Sequence, residues 1–164
     1  LSAAGRDEVD RLLEAWLAQR PELDVSPLAV LSRVSRLSRH LDRERRAALD
    51  ESGLEAWEFD VLAALRRAGE PLTPGQLVTQ NLVSSGTMTH RISRLVERGL
   101  VERVPDAADG RSVRVLLTEG GTAAVDRAMS DLVARERALL APLDEPARSA
   151  LVAALRTLLL PLDD

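Results

Sequence analysis

Residues 73–118, TPGQLVTQNLVSSGTMTHRISRLVERGLVERVPDAADGRSVRVLLT, decide the fold of this chain. Thr73-Pro74 is a helix-start signal, because a Thr hydroxyl can accept an otherwise orphaned backbone N–H and Pro fits the first helical position. A short helix over Pro74–Gln80 follows, with a turn at Asn81. Ser84 is then the expected cap of a longer helix reaching Arg98, and Gly99 is its stop. Beyond Gly99 the apolar period changes from helical to alternating. Leu100–Val104 and Val113–Leu117 flank a turn at Pro105–Gly110 and predict a β-hairpin. A short helix, a tight turn, a second helix and a basic hairpin make a helix-turn-helix with a wing. Two short helices alone would fit many folds, and the hairpin directly behind them narrows the reading.

On the second of these helices Met88, Ile92, Leu95 and Val96 are spaced to form one buried stripe. The opposite face holds Gly86, Thr87, His90, Ser93 and Arg94, which is small, polar and basic, as expected of a helix whose N-terminal half enters a major groove. Ser84 and Ser85 at its start can hold phosphate with hydroxyls and free backbone N–H groups. Ser84, Ser85, Thr87, Thr89, His90 and Arg94 are therefore the candidate DNA contacts of the helix. In the hairpin turn Arg111 is the candidate minor-groove reader, with Asp109 beside it to hold its direction.

The whole chain carries 22 basic residues against 26 acidic ones, a net charge of −4, which by itself argues against a nucleic-acid partner. The distribution reverses that argument. Between Gly86 and Arg114, Arg91, Arg94, Arg98, Arg103, Arg111 and Arg114 outnumber Glu97, Glu102, Asp106 and Asp109. A local basic surface on an acidic protein suits selective operator binding better than bulk attraction to DNA.

Helical patterning continues on both sides. Asp7–Arg20 predicts a first helix stopped by Pro21, Ser26-Pro27 opens a second reaching about Asp50, and Leu54, Trp57, Val61, Leu62 and Leu65 mark a third ending at Gly69. After the hairpin, helices are expected over about Thr122–Leu140 and from an Asp144 cap to about Leu160. The arginines of the second helix, Arg33 to Arg46, read as a solvated face or a subunit seam. With 45% hydrophobic residues but only 2% aromatic, the core must be Leu, Val and Ala, which favours helices. The fold class is mainly α with a small β-hairpin wing. One domain over 1–164 is expected, divided into N-terminal helices (1–53), a winged lobe (54–118) and C-terminal helices (119–164).

Several function classes drop out. The chain has no cysteine, so disulfides, thiolate metal sites and thiol redox sensing are excluded. His40 and His90 are isolated, without metal-ligand spacing, and neither a nucleophile elbow nor a phosphate-binding glycine loop is present. No enzyme activity, cofactor or metal is expected. No apolar run approaches the ~20 residues that span a bilayer, and nothing near Leu1 reads as a signal peptide, so a cytoplasmic protein without a membrane partner is expected. A first residue of Leu and not Met points to a native start that is missing.

The sequence resembles the MarR family from about Pro27 to Leu160. The resemblance is carried by Leu72–Leu77, Ser84–Ile92, Leu95–Val101 and Asp109–Thr118. It implies a winged helix-turn-helix homodimer joined through N- and C-terminal helices, with two lobes reading half-sites of palindromic double-stranded DNA, and a regulator that represses and responds to a ligand. The apolar last helix with Leu158-Leu159-Leu160 looks like part of the dimer surface, although packing within one chain is the alternative. The extra N-terminal helix is similar to that of the urate-responsive branch, which implies ligand-binding roles for Trp16, Asp60, Arg67 and Arg91. An aromatic ring can stack on a planar purine while Arg donates to its oxygens and Asp accepts its N–H. The alternative keeps Trp16 in the core and Asp60 and Arg67 in an ordinary ion-pair network, with Arg94 second choice for Arg91. A helical protein-interaction or anti-repressor module that keeps the winged fold without reading DNA is the competing function, disfavoured by the basic helix face and by Arg111.

Overall fold

A computed structural model describes residues 5–106 and 112–163. The elements run α1 (Glu8–Gln19), α2 (Ser26–Glu51), α3 (Ala56–Ala68), α4 (Pro74–Asn81), α5 (Ser85–Glu97), β1 (Val101–Pro105), β2 (Val113–Leu117), α6 (Glu119–Leu139) and α7 (Glu145–Leu159), closed by a 3-10 turn at Leu160–Leu162. The fold is mainly helical with one antiparallel hairpin, in the expected order. It divides into two compact units, Leu1–Glu44 and Arg45–Asp164, with the division inside α2.

In the first unit Asp7 caps α1, its carboxylate accepting the Val9 and Asp10 N–H groups at 2.8 and 3.0 Å. Arg33 of α2 donates to Asp7 at 2.8 Å and to Asp10 at 2.7 Å, tying the two helices together. This interaction, first among several, lowers the Asp7 pKa from its usual value. Arg33 is thus an interhelix tie and not part of a merely solvated face. The α2 start differs from expectation: Asp24 accepts the Ser26 N–H at 2.9 Å, and Ser26 is already helical.

The second unit is built around α3. Val61, Leu62, Ala64 and Leu65 are buried, and Leu77, Met88, Ile92, Leu95, Val101, Val115, Val125 and Ala128 close round them from α4, α5, the hairpin and α6. β1 and β2 pair antiparallel with Val101 opposite Leu117 and Pro105 opposite Val113. Leu72 adds a bridge to Val115, exchanging both backbone hydrogen bonds at 3.0 and 2.8 Å, so the wing is anchored just before α4.

Three further features depart from the sequence reading. Val96 is 40% exposed, because one residue past Leu95 turns the helix by ~100° and off the buried stripe. The α4–α5 turn pivots at Leu82, not Asn81; Asn81 is still helical and its side-chain amide donates to the Leu77 carbonyl at 2.9 Å. Leu82 has a left-handed φ of 52°, a conformation costing a β-carbon-bearing residue roughly 1–2 kcal/mol. Finally, α6 begins at Glu119, earlier than Thr122. Thr118 caps it by accepting the Gly121 N–H at 3.0 Å, so the two glycines lie in its first turn and do not interrupt it.

Candidate nucleic-acid interface

The α4 start is a capping box: Thr73 accepts the Gln76 N–H while the Gln76 side chain accepts the Thr73 N–H at 2.8 Å. At α5 the Ser84 hydroxyl accepts the Thr87 N–H at 3.2 Å and shares a 2.8 Å hydrogen bond with the Thr87 hydroxyl. Met88, Ile92 and Leu95 anchor the helix from below. Ser84, Ser85, Gly86, Thr87, Thr89 and His90 are all exposed at its N-terminal end. The Thr89 hydroxyl donates to the Ser85 carbonyl at 2.9 Å. Gly86 has nothing within 4 Å of where a Cβ would stand, so this edge of the helix is open.

The flank of α5 facing α3 is built differently. Arg94 donates to Glu55 at 3.0 Å and lies over the Trp57 ring, 5.0 Å from its centroid, and Arg91 lies 5.6 Å from the same ring. The Trp57 indole N–H donates to the other Glu55 oxygen at 2.7 Å. This hydrogen bond, followed by the charge of Arg94, lowers the Glu55 pKa from its usual value. One turn on, Arg98 pairs with the fully buried Glu58 and donates to the Gly53 carbonyl at 2.9 Å. Glu58 also accepts the Glu55 N–H at 2.9 Å, so its carboxylate caps α3 and anchors α5 together. Arg94, expected on the DNA face, thus joins Arg91 on the α3 side; a helical projection could not see this, because it shows no neighbouring helix.

On the wing, Arg103 of β1 donates to the Ser93 hydroxyl at 3.0 Å, linking hairpin and helix. Arg114 is held by Asp106 at 2.8 Å and donates to the Pro71 carbonyl at 3.1 Å. Asp109 and Arg111 lie outside the described residues.

Of the expected ligand residues, Asp60 and Arg67 line one hollow of about 220 Å³ with Arg45, Phe59, Ala63, Gln80, Asn81 and Leu82. Arg45 donates to Asp60 at 2.6 Å and lies over the Phe59 ring at 5.2 Å. Trp16 belongs to the first unit, is 45% exposed, and lines a shallow hollow with Leu12, Ala15 and Gln19. Arg91 stands over Trp57 and is not part of the Asp60–Arg67 hollow.

A curated relative, the HTH-type transcriptional regulator PecS of Dickeya dadantii, is 37% identical over 144 residues, spanning 87% of each protein. A model of the MarR family matches residues 52–112, the stretch from just before α3 into the wing. The chain belongs to that family. The multiple antibiotic resistance protein MarR of Escherichia coli is 35% identical over 100 residues, 61% of this chain and 67% of that protein. Among solved structures, a mutant of the same E. coli protein complexed with operator DNA aligns with a TM-score of 0.63 at 30% identity, covering 83% of this chain and 96% of that one. A MarR family protein from Bacillus stearothermophilus shares the fold, with a TM-score of 0.74. As a MarR family member the chain is a DNA-binding transcription regulator and not an enzyme. Among the described residues no helix is long and apolar enough to cross a membrane.

Glu55, Trp57 and Glu58 are the residues around this interface that sequence reasoning missed. In the sequence Trp57 reads as one member of an apolar stripe. The available signal was the acid-x-aromatic-acid order at a helix start, followed downstream by arginines spaced three and four apart.

Proposed function

We propose that this MarR family member is a cytoplasmic repressor that binds a palindromic operator in double-stranded DNA as a homodimer and is attenuated by a small anionic ligand. The observation that carries the DNA reading is the open N-terminal end of α5, small and polar above a fully buried anchor. In it Ser84 and Ser85 meet phosphate, while Thr87, Thr89 and His90 face base edges. Arg111, supported by Asp109, is proposed to enter the adjacent minor groove. Arg94, paired to Glu55, is left out of this set. The dimer reading is supported by α7, which has no buried residue and exposes Leu151, Val152, Leu158 and Leu159. Bare apolar surface of that kind favours a second copy.

Gly86→Ala tests the interface directly. A Cβ meets nothing in the protein, and the helix should gain about 0.5–1 kcal/mol from losing a glycine. If α5 lies in a major groove, the same methyl sits between helix and bases, so a gain in melting temperature should accompany weaker binding to a duplex selected from a random-sequence pool. Gel shifts and thermal melts on one sample read both. Unaltered DNA affinity would take this edge of α5 out of the groove, and failure to select any duplex would leave the protein-interaction module.

For the ligand, the hollow with Asp60 and Arg67 offers an acceptor and a cation at one site, and urate is the candidate. Asp60 is now occupied by Arg45, so the ligand must compete for it. Urate should weaken operator binding by roughly 5–150-fold, the range of typical allosteric coupling. Asp60→Asn should blunt that response while leaving ligand-free binding intact. If millimolar urate leaves the wild type unchanged the urate assignment fails and the DNA reading stands; equal responses of both proteins would move the ligand elsewhere.

A further inference from the structure

We propose that the Glu55–Trp57 corner at the start of α3 is a specificity-determining element, which holds Arg91 and Arg94 of α5 off the phosphate backbone. The proposal rests on the DNA-binding reading above and concerns residues that reading does not use.

Glu55 and Trp57 form one preorganised unit, the indole N–H locked on one carboxylate oxygen at 2.7 Å while the other oxygen takes Arg94 at 3.0 Å. The ring faces two guanidiniums at once, at 5.0 and 5.6 Å, and the π-face of Trp is the best of the aromatic cation acceptors. With Arg98 tied to Glu58 and Gly53, all three arginines at positions 91, 94 and 98 are engaged by the α3 start. The exposed end of α5 is left with hydroxyls, a glycine and His90.

The consequence follows from how proteins bind DNA. Sequence-independent affinity grows with the number of phosphates neutralised, whereas discrimination comes from base-edge contacts. A guanidinium held on Trp57 and Glu55 adds nothing to the first. It still fixes the rotation of α5 and so supports the second. In a chain of net charge −4, engagement of these cations keeps non-specific binding low while the reading face is unaffected.

The test compares Glu55→Gln and Trp57→Leu with wild type on the selected duplex and on a scrambled duplex, each across a salt series. Both variants should bind the scrambled duplex several-fold more tightly at low salt, with a salt slope steeper by roughly 0.9 for each guanidinium that reaches a phosphate. The selected duplex should gain less, so the ratio of the two affinities falls. Glu55 is exposed, so Glu55→Gln carries the test if Trp57→Leu melts early. Adding Arg94→Gln to Glu55→Gln should return the slope toward wild type. Glu97→Gln removes the same charge from another exposed acid and should leave the slope alone. The proposal is overturned if Glu55→Gln keeps the wild-type slope, if Glu97→Gln matches it, or if Arg94→Gln alone makes the slope shallower, since Arg94 would then already be a phosphate contact. If the wild type selects no duplex, the DNA reading falls and this proposal with it.

Discussion

Gly121→Ala should cost about 3 kcal/mol or more and loosen the recognition helix, whereas Gly120→Ala, one residue away, should be neutral or stabilising. A Cβ on Gly121 would run into the Leu100 carbonyl oxygen and stand 2.9 Å from its carbon. Both are backbone atoms, so no side-chain rotation relieves the clash. Overpacking of this kind typically costs 1–3 kcal/mol where side chains can yield, and here they cannot. At Gly120 the nearest atoms are 3.6 Å away, ordinary contact, and the better helix propensity of Ala decides the sign. The close approach has a purpose in the fold. Thr118 donates its hydroxyl to the Gly99 carbonyl at 2.7 Å and its backbone N–H to Leu100 at 3.2 Å, so the start of α6 is seated on the turn that ends α5. The start of α6 and the end of α5 are therefore tied at the same turn. Thermal denaturation of the two variants side by side is the check, and equal melting temperatures would mean that the contact yields freely.

Arg98→Met should destabilise the winged unit by about 2–3 kcal/mol. Glu58 is fully buried, and among the described residues its Oε1 has no hydrogen-bond partner, so the carboxylate is held through what Oε2 receives from Arg98 and the Glu55 N–H. Removing one partner of a fully buried pair costs about 3–5 kcal/mol. The estimate is reduced because the Arg98 side chain is 42% exposed and water can partly replace it. Urea denaturation of wild type and Arg98→Met gives the number directly. A change below ~1 kcal/mol would show that Glu58 finds another donor. The same variant releases the Gly53 carbonyl, so α5 should lose its grip on the loop before α3 as well.

These two contacts mark the boundary of what the sequence discloses. Gly120-Gly121 reads as an ambiguous helix start, because a glycine pair normally weakens a helix; only the approach of the Leu100 carbonyl explains why Gly121 is there. Glu58 reads as one more charge in the first turn of α3. Its burial depends on α5, which lies 27 residues further along, and on the guanidinium that α5 brings to it.

By itself the sequence determined the order of helices and hairpin, the caps at Thr73, Ser84 and Asp144, and the MarR family resemblance. Each of these is written in local spacing, where apolar period and cap chemistry act over a few residues. Tertiary structure alone decided which of the α5 cations are engaged by the protein itself. Arg91, Arg94 and Arg98 look alike in sequence, all able to meet DNA or ligand, until α3 is set against α5 and Trp57, Glu55 and Glu58 take them up. The same holds for Asp60, whose carboxylate is met by Arg45 from the end of α2. Ion pairs and ring contacts form between residues that are neighbours in space at 3–6 Å and distant along the chain, so no periodicity announces them.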